Sequence, residues 1–286
     1  MELSGVGVWS QELHYGDPGE ASEAAAELEE LGFTALWIPD MGGALFAAVD
    51  RLLAATRRTV VATGVLNLWN HAPADAAKAY ASLSAVHGDR FLMGIGVSHA
   101  VAVDMAEPGR YQRPLTAMSE FLDGLDAEDP PVPVDQRVLA ALGPKMVGLA
   151  GRRALGAHPY LVTPEHTRRV REALGAQALV LPEQTVILCA DADEAHAIGG
   201  AWLRGYLSLP NYANSLLRLG FSADEVTSVS DRVFDAMIAW GDEEAIMRRV
   251  DEHRAAGADH VTLQVLPADR KAFPRQEWRR IATALR

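Results

Sequence analysis

The chain of 286 residues carries a formal charge of −12, with 49% hydrophobic and 22% charged residues. Such acidity excludes a nucleic-acid partner, whose phosphates need a basic surface, and disfavours an anionic membrane surface. The composition is that of a globular protein with a large core, and polar residues interrupt every apolar run before the ~18 residues that suggest a membrane span. MELSGVGVWS lacks the basic-then-apolar order of a signal peptide. The one cysteine, Cys189, lies in the apolar run TVILCA and reads as a buried strand residue. A cytoplasmic location is expected.

Taken in chain order, strand-like runs are VGVW (6–9), ALWIP (35–39), TVVATGVLNL (59–68), FLMGIGV (91–97) and RVLAAL (137–142). GAHPYLV (156–162), ALVLPEQTVIL (178–188, broken by Pro182) and HVTLQVL (260–266) complete eight. Helical patterns separate them. EASEAAAELEELG (20–32) spaces Ala24, Leu28 and Leu31 along one face and stops at Gly32. ADAAKAYASLSAV (74–86) follows Pro73, and TPEHTRRVREALG (163–175) opens on Thr163 as cap with Pro164 and Glu165 behind it. DEEAIMRRVDEHRAAG (242–257) has the same start and stop. Alternating strands and helices predict an α/β fold, and eight strands with no linker favour a closed (β/α)8 TIM barrel over an open doubly wound sheet. A single domain over 1–286 is expected. Residues 204–240 look wholly helical, and so predict a helical insertion between strands 7 and 8 that forms part of a pocket wall.

In such a barrel the site lies where the strands end. Those positions hold Trp9 and Ser10, Asp40 and Met41, Asn67 to His71, Gly96 to His99, Gly143 to Met146, and His158 to Tyr160. His71, His99 and His158 supply imidazoles, but Asp40 is a thin supply of carboxylate, so no metal is expected. Ser98 and His99 would point to opposite faces of an extended strand, and GVSHA lacks the second glycine of a nucleophile elbow. Gly94-Ile95-Gly96 lacks the third glycine of a dinucleotide fingerprint. It reads equally as a kink between crowded strands or a ligand contact. Gly143-Pro144-Lys145 opens a helix directly after a strand, where free N–H groups and a lysine suit a phosphate, or simply make a turn.

Several blocks in order resemble the bacterial luciferase-like flavin and deazaflavin barrels. They are GFTALWIPD (Gly32 to Asp40), GDRFLMGIG (Gly88 to Gly96), and GDEEAIMRRVDEHRAAGADH before the last strand. Within that family the chain looks most like the short F-420-dependent oxidoreductases. The resemblance implies a flavin or deazaflavin ring across the barrel mouth. Asn67, Trp69, Gly96, Val97 and Ser98 would contact ring and ribityl chain, and Gly143, Pro144 and Lys145 would cradle the phosphate. It also implies a homodimer. Two positions depart from the family: Met41 stands where a histidine often follows the strand-two aspartate, and Val97 where a glutamate often follows the glycine pair.

The expected function is hydride transfer between coenzyme F-420 and a small organic substrate. His99 is the first candidate proton donor, with Asp40, His71 and His158 behind it. Trp9, Met41, His158, Tyr160 and Trp240 are expected to line the substrate pocket. The alternatives are an FMN-dependent monooxygenase supplied by a partner flavin reductase, or a non-catalytic ligand-binding barrel.

Overall fold

A computed structural model describes residues 3–269 and 272–285. Eleven strands lie among them: β1 (Gly5–Trp9), β2 (Ala35–Ile38), β3 (Val60–Thr63), β4 (Leu66–Asn67), β5 (Phe91–Gly96), β6 (Arg137–Leu139), β7 (Gly156–Ala157), β8 (Leu179–Val180), β9 (Glu183–Ile187), β10 (Ile238–Trp240) and β11 (His260–Val265). Every pairing among the described residues is parallel. Each strand therefore needs a crossover, and helices supply it.

The helices start and stop where local chemistry directs. Asp17 accepts the N–H groups of Gly19 and Glu20 and starts the helix Pro18–Leu31, which ends on Gly32 at φ 99°. That helix buries Ala21, Ala24, Ala25 and Leu28 against the sheet. Thr163 caps Pro164–Leu174 through His166 N–H, and Asp242 caps Glu243–Ala255 through Ala245 N–H. The Thr163 and Asp242 starts are those the sequence predicts, whereas the helix Pro18–Leu31 begins two residues before the expected Glu20.

Closure of the sheet differs from expectation. The strands run in the order β10-β9-β11-β1-β2-β3-β5-β6-β7-β8, with β4 paired to β5 off this path. The sheet curls through 250° of a barrel and stays open, its edges 19 Å apart, so it is not a closed (β/α)8 TIM barrel. Two features account for this. Pro182 has no N–H to give and divides the expected seventh strand into β8 and β9. Then β9 spends both edges, one on β11 and one on β10. Residues 238–240, which read as helix, are that extra strand: Ile238 and Ala239 are buried, and Ile238 lies opposite Thr185 of β9.

Apolar side chains on the concave face, among them Trp9, Trp37, Ala62, Leu92, Val138 and Leu181, form the inner core. The helices Ala192–Leu207, Pro210–Arg218, Ala223–Ser228 and Asp231–Met237 follow β9 and pack on Leu161, Ile187, Ile238 and Leu266 as a separate core. Among the described residues no helix is long and apolar enough to cross a membrane.

Candidate functional site

The carboxyl ends of β2, β4 and β5 meet around Asp40. Its Oδ2 accepts the Asn67 backbone N–H at 3.0 Å and lies 2.9 Å from His71 Nε2, while Oδ1 accepts Gly42 N–H at 3.0 Å. Only 1% of the Asp40 side chain is exposed. Burial works to raise its pKa, but His71 and the two backbone N–H groups outweigh it and hold the carboxyl below its ordinary value. A carboxylate only accepts, so His71 carries the shared proton on Nε2 and donates it. Phe46 meets the His71 ring edge-on at 5.4 Å.

From Asn67 the bonding continues. Its Oδ1 accepts Trp69 N–H at 3.2 Å, and the Trp69 indole N–H donates to the Val97 carbonyl at 2.8 Å. Asp40, Asn67, Trp69, His71 and Val97 thus form one bonded group, as their shared place at strand ends suggests.

Gly94 and Gly96 have a structural reason to be glycine. A Cβ on Gly94 would overlap the Thr63 carbonyl oxygen, and one on Gly96 would overlap the Val65 side chain. The segment joining β3 to β4 crosses β5 too closely for side chains there. Beyond Gly96 the extended geometry ends, because Ser98 sits at φ 54° in the left-handed region. Strand alternation therefore does not govern Ser98 and His99, as the sequence reading had assumed. His99 is half-buried, with its ring 5.5 Å from that of Tyr212. Burial lowers its pKa, partly opposed by a hydrogen bond with Asn211.

On the concave side, the Trp9 indole N–H donates to Gly64 O at 2.8 Å and its ring tilts against Tyr160 at 5.4 Å. His158 stacks on Trp37 at 4.1 Å and is 1% exposed. Its Nδ1–H donates to Leu181 O at 2.7 Å, which leaves Nε2 as an acceptor with no partner among the described residues. Burial pushes the His158 pKa down to about 4, so the ring is neutral near pH 7. A Cβ on Gly64 would stand 3.4 Å from that Nε2, which places the lone pair beneath the carboxyl end of β3.

Three further expected positions are exposed or bonded elsewhere. Gly143 caps the helix Pro144–Arg153 without a side-chain bond, nothing lies within 4 Å of where its Cβ would be, and Lys145 is exposed. Met41 is 66% exposed and donates its backbone N–H to Tyr15 Oη at 2.6 Å. Trp240 donates its indole N–H to Asp235 at 2.8 Å, in the helix before β10. Among the described residues no group of three or more His, Cys, Asp and Glu is arranged to hold a metal ion.

Sequence reading missed the partners of Tyr160. Its hydroxyl donates to Gln264 Oε1 at 2.5 Å and lies 3.2 Å from Tyr206 Oη, and Tyr206 and Tyr212 pack on its ring. Burial raises the Tyr160 pKa well above its ordinary value. It also missed Glu183, fully buried on β9. The available signal was a carboxylate inside an otherwise apolar strand run, since an acid there must find partners.

Comparison with known proteins bears on the fold. Residues 3–127 match the family model described as luciferase-like monooxygenase. No curated protein matches the sequence. An F-420-dependent secondary alcohol dehydrogenase, solved with an F-420-acetone adduct, is 17% identical with a TM-score of 0.75 over 99% of each chain. The coenzyme F-420-dependent tetrahydromethanopterin reductase of Methanopyrus kandleri is 17% identical with a TM-score of 0.74, covering 98% of this chain and 97% of its own. The oxygenating constituent of 3,6-diketocamphane monooxygenase from Pseudomonas putida, solved with FMN, is 13% identical with a TM-score of 0.69, covering 98% and 96%. Residues 3–127 are thus similar to the luciferase-like monooxygenase family, and the fold is shared with these solved structures along nearly the whole chain.

Proposed function

We propose that this protein is a luciferase-like oxidoreductase that works with coenzyme F-420 on a small organic substrate at the carboxyl ends of β2 to β5. The observation that carries this reading is the buried Asp40–His71 pair, tied to Asn67 and through it to Trp69 and Val97. The residues present suit a flavin-type group. The unfilled space beside Gly143 lets a phosphate approach the first N–H groups of Pro144–Arg153, with Lys145 for charge. Asn67, Trp69 and the backbone from Gly96 to Ser98 would hold the ring and ribityl chain. When bound, the deazaflavin supplies a hydride acceptor or donor.

The protein's own part is orientation and the proton. Asp40 fixes His71 with a proton on Nε2, so His71 is the group assigned to give or take the proton that accompanies hydride transfer. His99 stands second, at the rim beside Tyr212. Trp9, Tyr160, Tyr206 and Tyr212 form an apolar wall that keeps water from the reacting atoms. That same wall favours a second reading, an FMN-dependent monooxygenase fed by a reductase, because oxygen chemistry also needs a dry site.

Turnover of F-420 against a panel of small alcohols, ketones and enones tests the assignment. A His71→Ala variant is expected to lose about 10²–10⁴-fold in kcat while still binding cofactor. Undiminished kcat would remove His71 from the mechanism.

A further inference from the structure

The loop after β7 carries His158, Pro159, Tyr160 and Leu161, and a buried carboxyl grips its far end. Glu183, the first residue of β9, has no exposed surface. Its Oε2 accepts the Leu161 backbone N–H at 2.8 Å, and its Oε1 accepts the Thr185 hydroxyl at 2.7 Å. Leu161 sits at φ 54°, a left-handed conformation that a large apolar residue adopts only where its surroundings enforce it. One residue earlier, the Tyr160 hydroxyl bonds Gln264 of β11 and reaches Tyr206 of the helix Ala192–Leu207, while the Tyr160 ring rests on Trp9. Glu183 therefore fixes the backbone pivot from which Tyr160 spans the mouth.

The surroundings of this carboxyl make its charge matter. Thr185 lies beside it on β9, and the register partner of Glu183 on β11 is Thr262; both are uncharged. Among the ionisable side chains that feel Glu183 are Tyr160, from the loop after β7, and Tyr212, from the helix Pro210–Arg218. Burial pushes the Glu183 pKa up to about 7, opposed in part by the hydrogen bonds from Thr185 and Leu161. A charge there strengthens both accepted hydrogen bonds and acts directly on the neighbouring phenols.

We infer that Glu183 is a positioning residue of the mouth: by holding Leu161 it places Tyr160 and the aromatic wall, and the gain or loss of its proton changes how that wall meets a ligand. This rests on reading the mouth as the ligand site, so the test has one arm without ligand.

Tryptophan emission is followed from about pH 5 to about pH 9 in the wild type, Glu183→Gln, Thr185→Val and Trp9→Phe. A transition near neutrality is expected in the wild type, lost in Glu183→Gln and in Trp9→Phe, since Trp9 is the tryptophan against Tyr160. In Thr185→Val it moves to higher pH, because a hydrogen bond to the charged form is gone. Thr185→Val also decides the matter if Glu183→Gln does not fold. A wild type with no transition, a transition that survives in Glu183→Gln, or one unmoved in Thr185→Val overturns the inference. In the second arm, F-420 and FMN are titrated at both ends of that range. The wild-type Kd for the ligand that binds is expected to change by about threefold or more with pH, and the Glu183→Gln Kd to stay constant. Binding that is equally pH-dependent in both proteins overturns the inference. Binding of neither ligand counts against the proposed function, and the emission arm still decides whether Glu183 sets the wall.

Discussion

Asp40 keeps a charge in a place almost closed to water because three donors converge on it. Removing such an acceptor leaves those donors unpaired. Asp40→Ala is therefore expected to lower stability by about 1–3 kcal/mol, seen as a lower denaturation midpoint at pH 7. An unchanged midpoint would mean that the cluster does not hold the strand ends together. The glycines separate structural from ligand roles more sharply. Gly94→Ala forces a methyl onto the Thr63 carbonyl, and should cost at least about 1–3 kcal/mol in the same unfolding measurement. Gly143→Ala meets nothing in the protein, so its stability should stay within about 0.5 kcal/mol of wild type. Its cofactor affinity should nonetheless fall if a phosphate approaches there. The order of these glycines along the sequence does not reveal the difference, because a kink and a cradle use the same residue for the same lack of a Cβ.

Helix starts were legible in the sequence because their causes are local. Thr163 and Asp242 cap the helices that follow them and Gly32 ends the first long one, whereas the Asp17 cap, which starts that first long helix two residues before the expected Glu20, was not read. Asp17→Ala should cost about 1 kcal/mol through the loss of the Gly19 and Glu20 N–H partners, checked by urea denaturation. An unchanged midpoint would show that packing alone holds that helix. Long-range pairing was less legible. The sequence reading allowed Pro182 to break a strand, but periodicity does not tell that β10 will take the free edge of β9. Asp40, Asn67, Trp69, His71 and Val97 were singled out because each lies at or just after a strand end, and the structure joins them by hydrogen bonds. Glu183 and Gln264 were not, because they lie within strands and matter only through what the curl of the sheet sets opposite them. His158 lies between these cases: its position was legible, but its unpartnered nitrogen was not.

The molecule is a curled, open parallel sheet whose concave face holds more polar groups than an apolar core requires, and its response to pH follows from that. Burial pushes the pKa of His158 and His260 down to about 4 and of His253 to about 3. Below about pH 6.5 the unfolded chain takes up protons that these rings refuse, so each contributes a loss of stability as pH falls from there through about 4. Glu183 acts in the other direction. The folded state keeps its proton up to about pH 7 while the unfolded chain releases it near 4.5, so stability falls as pH rises through that window. Thermal melts should therefore drop steeply toward acid, where three histidines outweigh one glutamate. Glu183→Gln should gain on the wild type by on the order of a few kcal/mol between about pH 4 and pH 8. A Glu183→Gln melt that runs parallel to wild type across that range would mean that the carboxyl is not protonated in the fold. The most direct test of the functional reading is a paired titration of the purified protein with F-420 and FMN, followed by fluorescence and calorimetry. Binding of F-420 well below the Kd for FMN, weakened in Gly143→Ala, is the predicted result. Preference for FMN would contradict it in favour of oxygen chemistry, and binding of neither would leave a ligand-binding fold in which Asp40 and His71 serve the structure alone.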